Sequence, residues 1–130
     1  MIKQLKILLI EDNKHIVMVE KMCLEANDYK VTIAYDGLQG LDLAINTLPD
    51  LILLDLLIPK MDGFMVLEAL QNNPSTAEIP VLITSAKAQM DDLKQAFLYK
   101  IRGYMVKPFS PKELLLKIKE IMDSEGNKNG

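Results

Sequence analysis

The sequence predicts a single doubly wound α/β domain, a five-stranded parallel sheet with helices on both faces, and three observations predict it. Five apolar runs of strand length alternate with amphipathic helical stretches in a repeated β-α order. Two of those runs, Ile7 to Ile10 and Leu51 to Leu54, are apolar at every position, the pattern of strands covered on both faces of a parallel sheet. The chain has 130 residues, 49% hydrophobic and 25% charged, the length and balance of one core rather than two.

Strands are expected at 5–10, 31–35, 51–54, 81–84 and 104–106. After the first strand, Ile16, Val19, Cys23 and Ala26 recur at helical spacing and predict the apolar face of the first helix. Leu38, Leu41, Ile45 and Leu48 do the same for the second. Residues 63–70 and 90–97 give shorter third and fourth helices, the latter with Met90, Leu93 and Phe97 in one stripe. The fifth helix has the clearest start, because Ser110, Pro111 and Glu113 supply N-cap, N1 and N3 of a capping box whose cap alone is worth ~1 kcal/mol. Its stripe runs through Leu114, Ile118 and Ile121. Right-handed crossovers alternate sides where the strand order reverses, so the expected sheet is flavodoxin-like, in the order 2-1-3-4-5. The folded domain is placed at residues 1–123, with a disordered polar tail at 124–130.

Bulk properties exclude several classes of function. Net charge is −3 with acids and bases interspersed, so no basic stripe is offered to DNA or RNA, and direct nucleic-acid binding is not expected. No apolar run approaches the roughly eighteen residues of a membrane span, so a soluble, cytoplasmic protein is expected, with no membrane partner. Cys23 is the only cysteine and reads as a buried thiol in a reducing compartment. His15, the only histidine, reads as plain surface at the first turn of the first helix.

In an open α/β sheet the functional crevice lies beyond the carboxyl ends of the strands. Those ends are acidic here: the first strand is followed by Glu11-Asp12 and the third by Asp55. In the expected order these strands are neighbours, which gathers three carboxylates at one rim. Two unit charges ~4 Å apart repel by roughly 4 kcal/mol at an effective dielectric of about 20, so the cluster calls for a cation, and Mg²⁺ is the natural oxygen-seeking occupant. The fourth strand ends in Thr84-Ser85-Ala86 and the fifth in Lys107-Pro108. Ser85 can donate a hydroxyl hydrogen bond and Lys107 a point charge to a phosphate oxygen. Pro108 fixes the chain after the lysine and is a candidate for a cis bond. Asp62-Gly63 reads as the cap and turn that open the third helix.

With these motifs the chain resembles the receiver domains of bacterial two-component response regulators, the CheY-like superfamily. The resemblance covers about residues 4–123. It rests on Ile-Glu-Asp-Asn at 10–13, Pro-Asp-Leu-Ile-Leu-Leu-Asp at 49–55, Ile-Pro-Lys-Met-Asp-Gly at 58–63, Pro-Val-Leu-Ile-Thr-Ser-Ala at 80–86 and Tyr-Met-Val-Lys-Pro-Phe at 104–109. It implies that Asp55 is the phosphoacceptor and that Glu11, Asp12, Asp55 and the backbone carbonyl of Leu57 hold Mg²⁺. It also implies that Ser85, the Ala86 amide and Lys107 receive the phosphoryl oxygens, and that Ser85 and Tyr104 form the switch.

By the same resemblance the phosphoryl donor is a sensor histidine kinase or phosphotransfer protein. The only catalysis is self-phosphorylation and slow autodephosphorylation. Output passes to a downstream protein target or output domain, or to a second copy as a homodimer, through the fourth helix, fifth strand and fifth helix, with Phe97, Tyr99 and Ile101 in or beside that face. Two alternatives stand beside it. A phosphorylation-independent scaffold would not need the full set of residues that is present. A Mg²⁺-dependent phosphohydrolase of the haloacid dehalogenase type would need an acid two residues after the nucleophile, where this chain has Leu57. The chain departs from the usual pattern at Ile58, a near volume-conserving replacement of methionine, and at Lys100-Ile101, where a Gly-Ala pair commonly closes the fourth helix.

Overall fold

The computed structural model describes residues 4–86 and 90–127. Strands β1 (Lys6–Ile10), β2 (Lys30–Ala34), β3 (Leu51–Asp55), β4 (Val81–Ser85) and β5 (Gly103–Val106) form one parallel sheet in the order β2-β1-β3-β4-β5. Helices α1 (Lys14–Ala26), α2 (Gly37–Thr47), α3 (Gly63–Asn72), α4 (Met90–Leu98) and α5 (Pro111–Asn127) connect and follow the strands. The doubly wound fold and its strand order are those the sequence predicts.

Two apolar layers sandwich the sheet. On one side Ile7, Leu9, Leu51, Leu53 and Leu82 pack with Val17 and Leu24 of α1 and Leu114, Ile118 and Ile121 of α5. On the other, Leu8, Ile10, Ile52, Leu54 and Ile83 meet Ala44 of α2, Val66, Leu67 and Leu70 of α3 and Ala96 of α4. Every residue of β3 and of β4 is buried, which is why Leu51 to Leu54 read as a continuous apolar run. α5 begins at the expected capping box, where Glu113 N–H donates to Ser110 Oγ at 3.1 Å.

Two helix faces differ from expectation. α1 buries Val17, Glu20 and Leu24 instead of the Ile16, Val19, Cys23 and Ala26 stripe. Ile16 and Cys23 are half-buried, while Val19 and Ala26 are exposed. The charge of Glu20 hides the true face from a hydrophobic periodicity. α2 buries Gly37, Gly40 and Ala44, while Leu38, Ile45 and Leu48 are exposed and Leu41 is half-buried. Its approach to the sheet is too close for larger residues, since a Cβ on Gly40 would stand 2.5 Å from Ile10 Cδ1.

Smaller corrections concern α4 and α5. Phe97 is more than half exposed and Ala96 carries the inward contact, while the side chain of Met90 lies outside the described residues. Ile101, expected beside the signalling face, is instead buried in the core. α5 continues to Asn127, past the expected domain end at residue 123, and an ion pair from Arg102 to Glu125 ties its last turns to the segment before β5. The final part of the expected tail, 128–130, lies outside the described residues.

Lys100 shows how the chain closes the turn after α4 without glycine. It adopts φ 57°, a left-handed conformation, while its carbonyl accepts a hydrogen bond from Arg102 Nη1 at 2.7 Å. A side chain in that region costs roughly 1–2 kcal/mol. Lys100→Gly is therefore expected to stabilise the fold by ~1 kcal/mol, read as a higher urea midpoint at unchanged slope.

Candidate functional site

The parallel ladder aligns Ile10 with Leu54, Asp55 with Thr84, and Ser85 with Val106. The residues that end or follow β1, β3, β4 and β5 therefore share one rim. Glu11 leaves β1 with its N–H still bonded to the Ala34 carbonyl at 3.0 Å. Asn13 caps α1, its Oδ1 accepting the N–H groups of His15 and Ile16 at 3.0 and 3.2 Å. The Asn13 N–H donates to Glu11 Oε2 at 3.1 Å, so the cap also orients the carboxylate.

Asp55 ends the buried β3, and its Oδ1 accepts the N–H of Leu57 at 2.9 Å. The loop that carries Leu57 is held by α3. Gly63 N–H donates to the Leu56 carbonyl at 3.1 Å, and a Cβ on Gly63 would stand 2.6 Å from the Leu56 Cα. Asp62 is the cap of α3, accepting Met65 N–H at 3.0 Å, as its Asp-Gly signature predicts.

Lys107 closes the cluster from the far edge. Its Nζ donates to Asp55 Oδ2 at 3.0 Å and to Glu11 Oε1. Its N–H is held by the Ser85 carbonyl at 2.8 Å, and the Lys107–Pro108 bond is cis. Carboxylate oxygens of Glu11, Asp12 and Asp55 all lie within 4.8 Å of one another, with Glu11 and Asp55 buried and Asp12 exposed.

The electrostatics follow from this geometry. Burial pushes the Glu11 carboxyl above its ordinary range, opposed by the Lys107 and Asn13 hydrogen bonds and aided by the charge of Asp55. Burial also works against the Lys107 ammonium, but Glu11 and Asp55 together hold its pKa above the ordinary lysine value. One lysine faces three acids. The remaining negative charge and the oxygen-only donor set fit a hard divalent cation such as Mg²⁺, with Asp12 as the exposed ligand on the open side.

Ser85 is fully buried, and its side chain is hydrogen-bonded to Tyr104 on the neighbouring strand. The phenol of half-buried Tyr104 is pushed up by burial, against the Ser85 hydrogen bond, with Asp92 and Asp55 adding to the rise. Ala86 lies exposed beside Ser85 at the rim. Glu11, Asp12, Asp55 and Lys107 are thus brought into one cluster, and Ser85 and Tyr104 into direct contact.

Sequence reasoning assigned no part to Asn13, although an Asn directly before a helix is a readable cap signal. It also passed over Glu20, whose burial has no signal in hydrophobic periodicity. Cys23, expected to be buried, is half-buried, its thiol raised by burial and by the charge of Glu20. His15 is exposed, as expected.

Comparison with known proteins identifies the family. The response regulator receiver domain family matches residues 7–119. The chain belongs to that family. Receiver domains are regulatory modules of two-component signalling. The chain is 39% identical over 117 residues to the DNA-binding dual master transcriptional regulator RpaA of Synechocystis, covering 90% of this chain and 48% of the relative. It is 36% identical over 124 residues to the response regulator ArlR of Staphylococcus saprophyticus, covering 95% of this chain and 55% of the relative. The chain spans about half the length of these curated relatives. Among solved structures, a CheY-like receiver domain protein from Methanospirillum hungatei superposes with TM-score 0.89 at 29% identity, covering 98% of this chain and all of that one. The chemotaxis response regulator CheY4 of Vibrio cholerae gives 0.86 at 25% identity, covering 92% of this chain and 99% of that one. No helix among the described residues of this receiver is long and apolar enough to cross a membrane.

Proposed function

We propose that this receiver accepts a phosphoryl group on Asp55 from the phosphohistidine of a sensor kinase or phosphotransfer protein, and that the added charge alters its α4–β5–α5 surface. The observation that carries the reading is Lys107 Nζ bonded to both Glu11 and Asp55 at the rim where three carboxylates converge. In the transfer the N–P bond of the donor breaks and an O–P bond forms at a carboxylate oxygen of Asp55. Water later cleaves that bond, which regenerates the carboxylate. Mg²⁺, when bound, neutralises oxygens of the transferring group. Glu11, Asp12, Asp55 and the Leu57 carbonyl would hold it. Lys107, the Ser85 hydroxyl and the Ala86 N–H would receive the phosphoryl oxygens. Leu57 N–H already orients Asp55 Oδ1, which supports its part in the acceptor loop, and the apolar Leu57 side chain leaves a hydrolase without its second acid.

A phosphoryl group adds close to two negative charges, which Lys107 and Mg²⁺ must balance. The Ser85 hydroxyl is then drawn from Tyr104 toward a phosphoryl oxygen, and Tyr104 repacks at the edge strand β5. Exposed Phe97 of α4 and Val106 of β5 lie on the surface this movement changes. A downstream protein, an output domain or a second copy would read that surface, in the cytoplasm and without direct contact to nucleic acid.

Labelling with a small acyl phosphate in the presence of Mg²⁺ tests the acceptor, and Ser85→Ala tests the switch. The variant is expected to take up the phosphoryl group while its Tyr104 ring signals respond much less in NMR to a non-hydrolysable phosphate mimic. An undiminished Tyr104 response in Ser85→Ala would refute the linkage.

A further inference from the structure

We propose that the cleft between α1 and the β5–α5 segment is a binding site for a small ligand with an apolar body and one cationic nitrogen, seated on Glu20. The cleft holds about 260 Å³, room for a single aromatic ring and a short arm. Ile16, Val19 and Cys23 of α1 form one wall, and Phe109, Pro111 and Leu114 form the other. Glu20 is the only acidic side chain among the lining residues.

Glu20 is out of place unless something meets it. It is 6% exposed, between Val17 and Leu24 on the core face of α1, where an apolar residue would serve packing better. Its Oε2 is buried with no hydrogen-bond partner among the described residues. An acceptor left in that state is destabilising, because burial has removed its water without a replacement. The nearby ammonium of Lys107 is already committed to Glu11 and Asp55. With the Lys107 ammonium held by Glu11 and Asp55, Glu20 is the one acid in the cleft lining and favours a cation over an anion there. Burial holds the Glu20 carboxyl near pKa 7, so little work is needed to take its proton away when a cation arrives.

The apolar walls select the rest of the ligand. A hydrated inorganic ion gains nothing from Phe109 and Leu114, whereas an amine on a ring or short alkyl body buries apolar area and places its nitrogen on the carboxylate. Lys107 and Pro108 line the same cleft, so a ligand seated there also touches the segment that aims the ammonium at Asp55. Binding itself does not depend on the phosphoacceptor reading.

Benzylamine is a suitable probe and benzyl alcohol its neutral counterpart, both titrated into the ¹⁵N-labelled full chain with Mg²⁺ present. The proposal expects saturable amide shifts around Val19, Glu20 and Phe109, with benzylamine binding about tenfold more tightly than the alcohol through its charge-assisted bond. Glu20→Gln, which keeps the shape of the side chain, should bring the two affinities within about twofold of each other. Val19→Trp at the exposed wall should abolish the shifts while leaving Glu20 in place. The proposal is overturned by equal affinity for amine and alcohol in the wild-type chain, by a preference that survives Glu20→Gln, or by shifts confined to the Glu11, Asp12 and Asp55 cluster.

Discussion

Lys107→Met is expected to cost the fold ~3 kcal/mol in metal-free buffer and to return much of it when Mg²⁺ is added. The lysine side chain is 15% exposed and bonded to Glu11 and Asp55, which are themselves nearly inaccessible. Removing it leaves two buried carboxylates side by side with no counter-charge. Glu11 must then hold its proton to a higher pH, so the loss should be largest in alkaline buffer and shrink toward acid. A divalent cation at the three carboxylates would neutralise the same charge. Urea unfolding of both chains, with and without Mg²⁺, reads the effect, and the melting temperature should fall by ~10 °C without metal. Equal metal-free stability of the two chains would mean that the ion pairs contribute nothing.

The second large effect is on the pH dependence of stability. Burial raises Glu20 from 4.5 to about 7, with Lys107 opposing and the charges of Glu11 and Asp55 adding to the shift. His15 and Cys23 also border its cleft. In the unfolded chain Glu20 ionises near its ordinary value, while in the folded chain it keeps its proton to near neutrality. Between those limits the folded state binds more protons, so stability falls as pH rises and remains lowered above about 7. The interval corresponds to ~3 kcal/mol. Glu20→Gln removes this contribution, so its advantage over the wild-type chain should grow by ~2–3 kcal/mol between about pH 4.5 and 8. Unfolding curves across that range check it; parallel pH profiles for the two chains would show that Glu20 does not titrate with folding.

Much of this was legible in the chain because its strands announce themselves. β3 is apolar at every position before Asp55 and buried throughout, so its ending in an acid pointed directly to the rim. The parallel order then placed Glu11, Asp55, Ser85 and Lys107 together without further information. What periodicity could not show was how closely a helix lies on the sheet. Gly40 sets that distance for α2 against Ile10, Gly37 lets the helix start close to Met61 in the loop before α3, and Leu38 and Leu48 are left exposed. Nor could it show Glu20, because a charged residue on a core face breaks the rule that periodicity uses. The bond from Lys107 to Glu11 was equally hidden: the sequence aimed that lysine at a phosphate oxygen, and without a phosphate it neutralises the acids instead.

Intact-mass spectrometry of the wild-type chain and Asp55→Asn, each incubated with a small acyl phosphate and Mg²⁺, tests the central claim most directly. Asp55 is the buried acid that Lys107 and Leu57 N–H both orient. The wild-type chain should gain one phosphoryl group, and only with Mg²⁺, while Asp55→Asn should gain none. Persistent stoichiometric labelling of Asp55→Asn, or labelling of the wild-type chain that ignores Mg²⁺, would contradict the account.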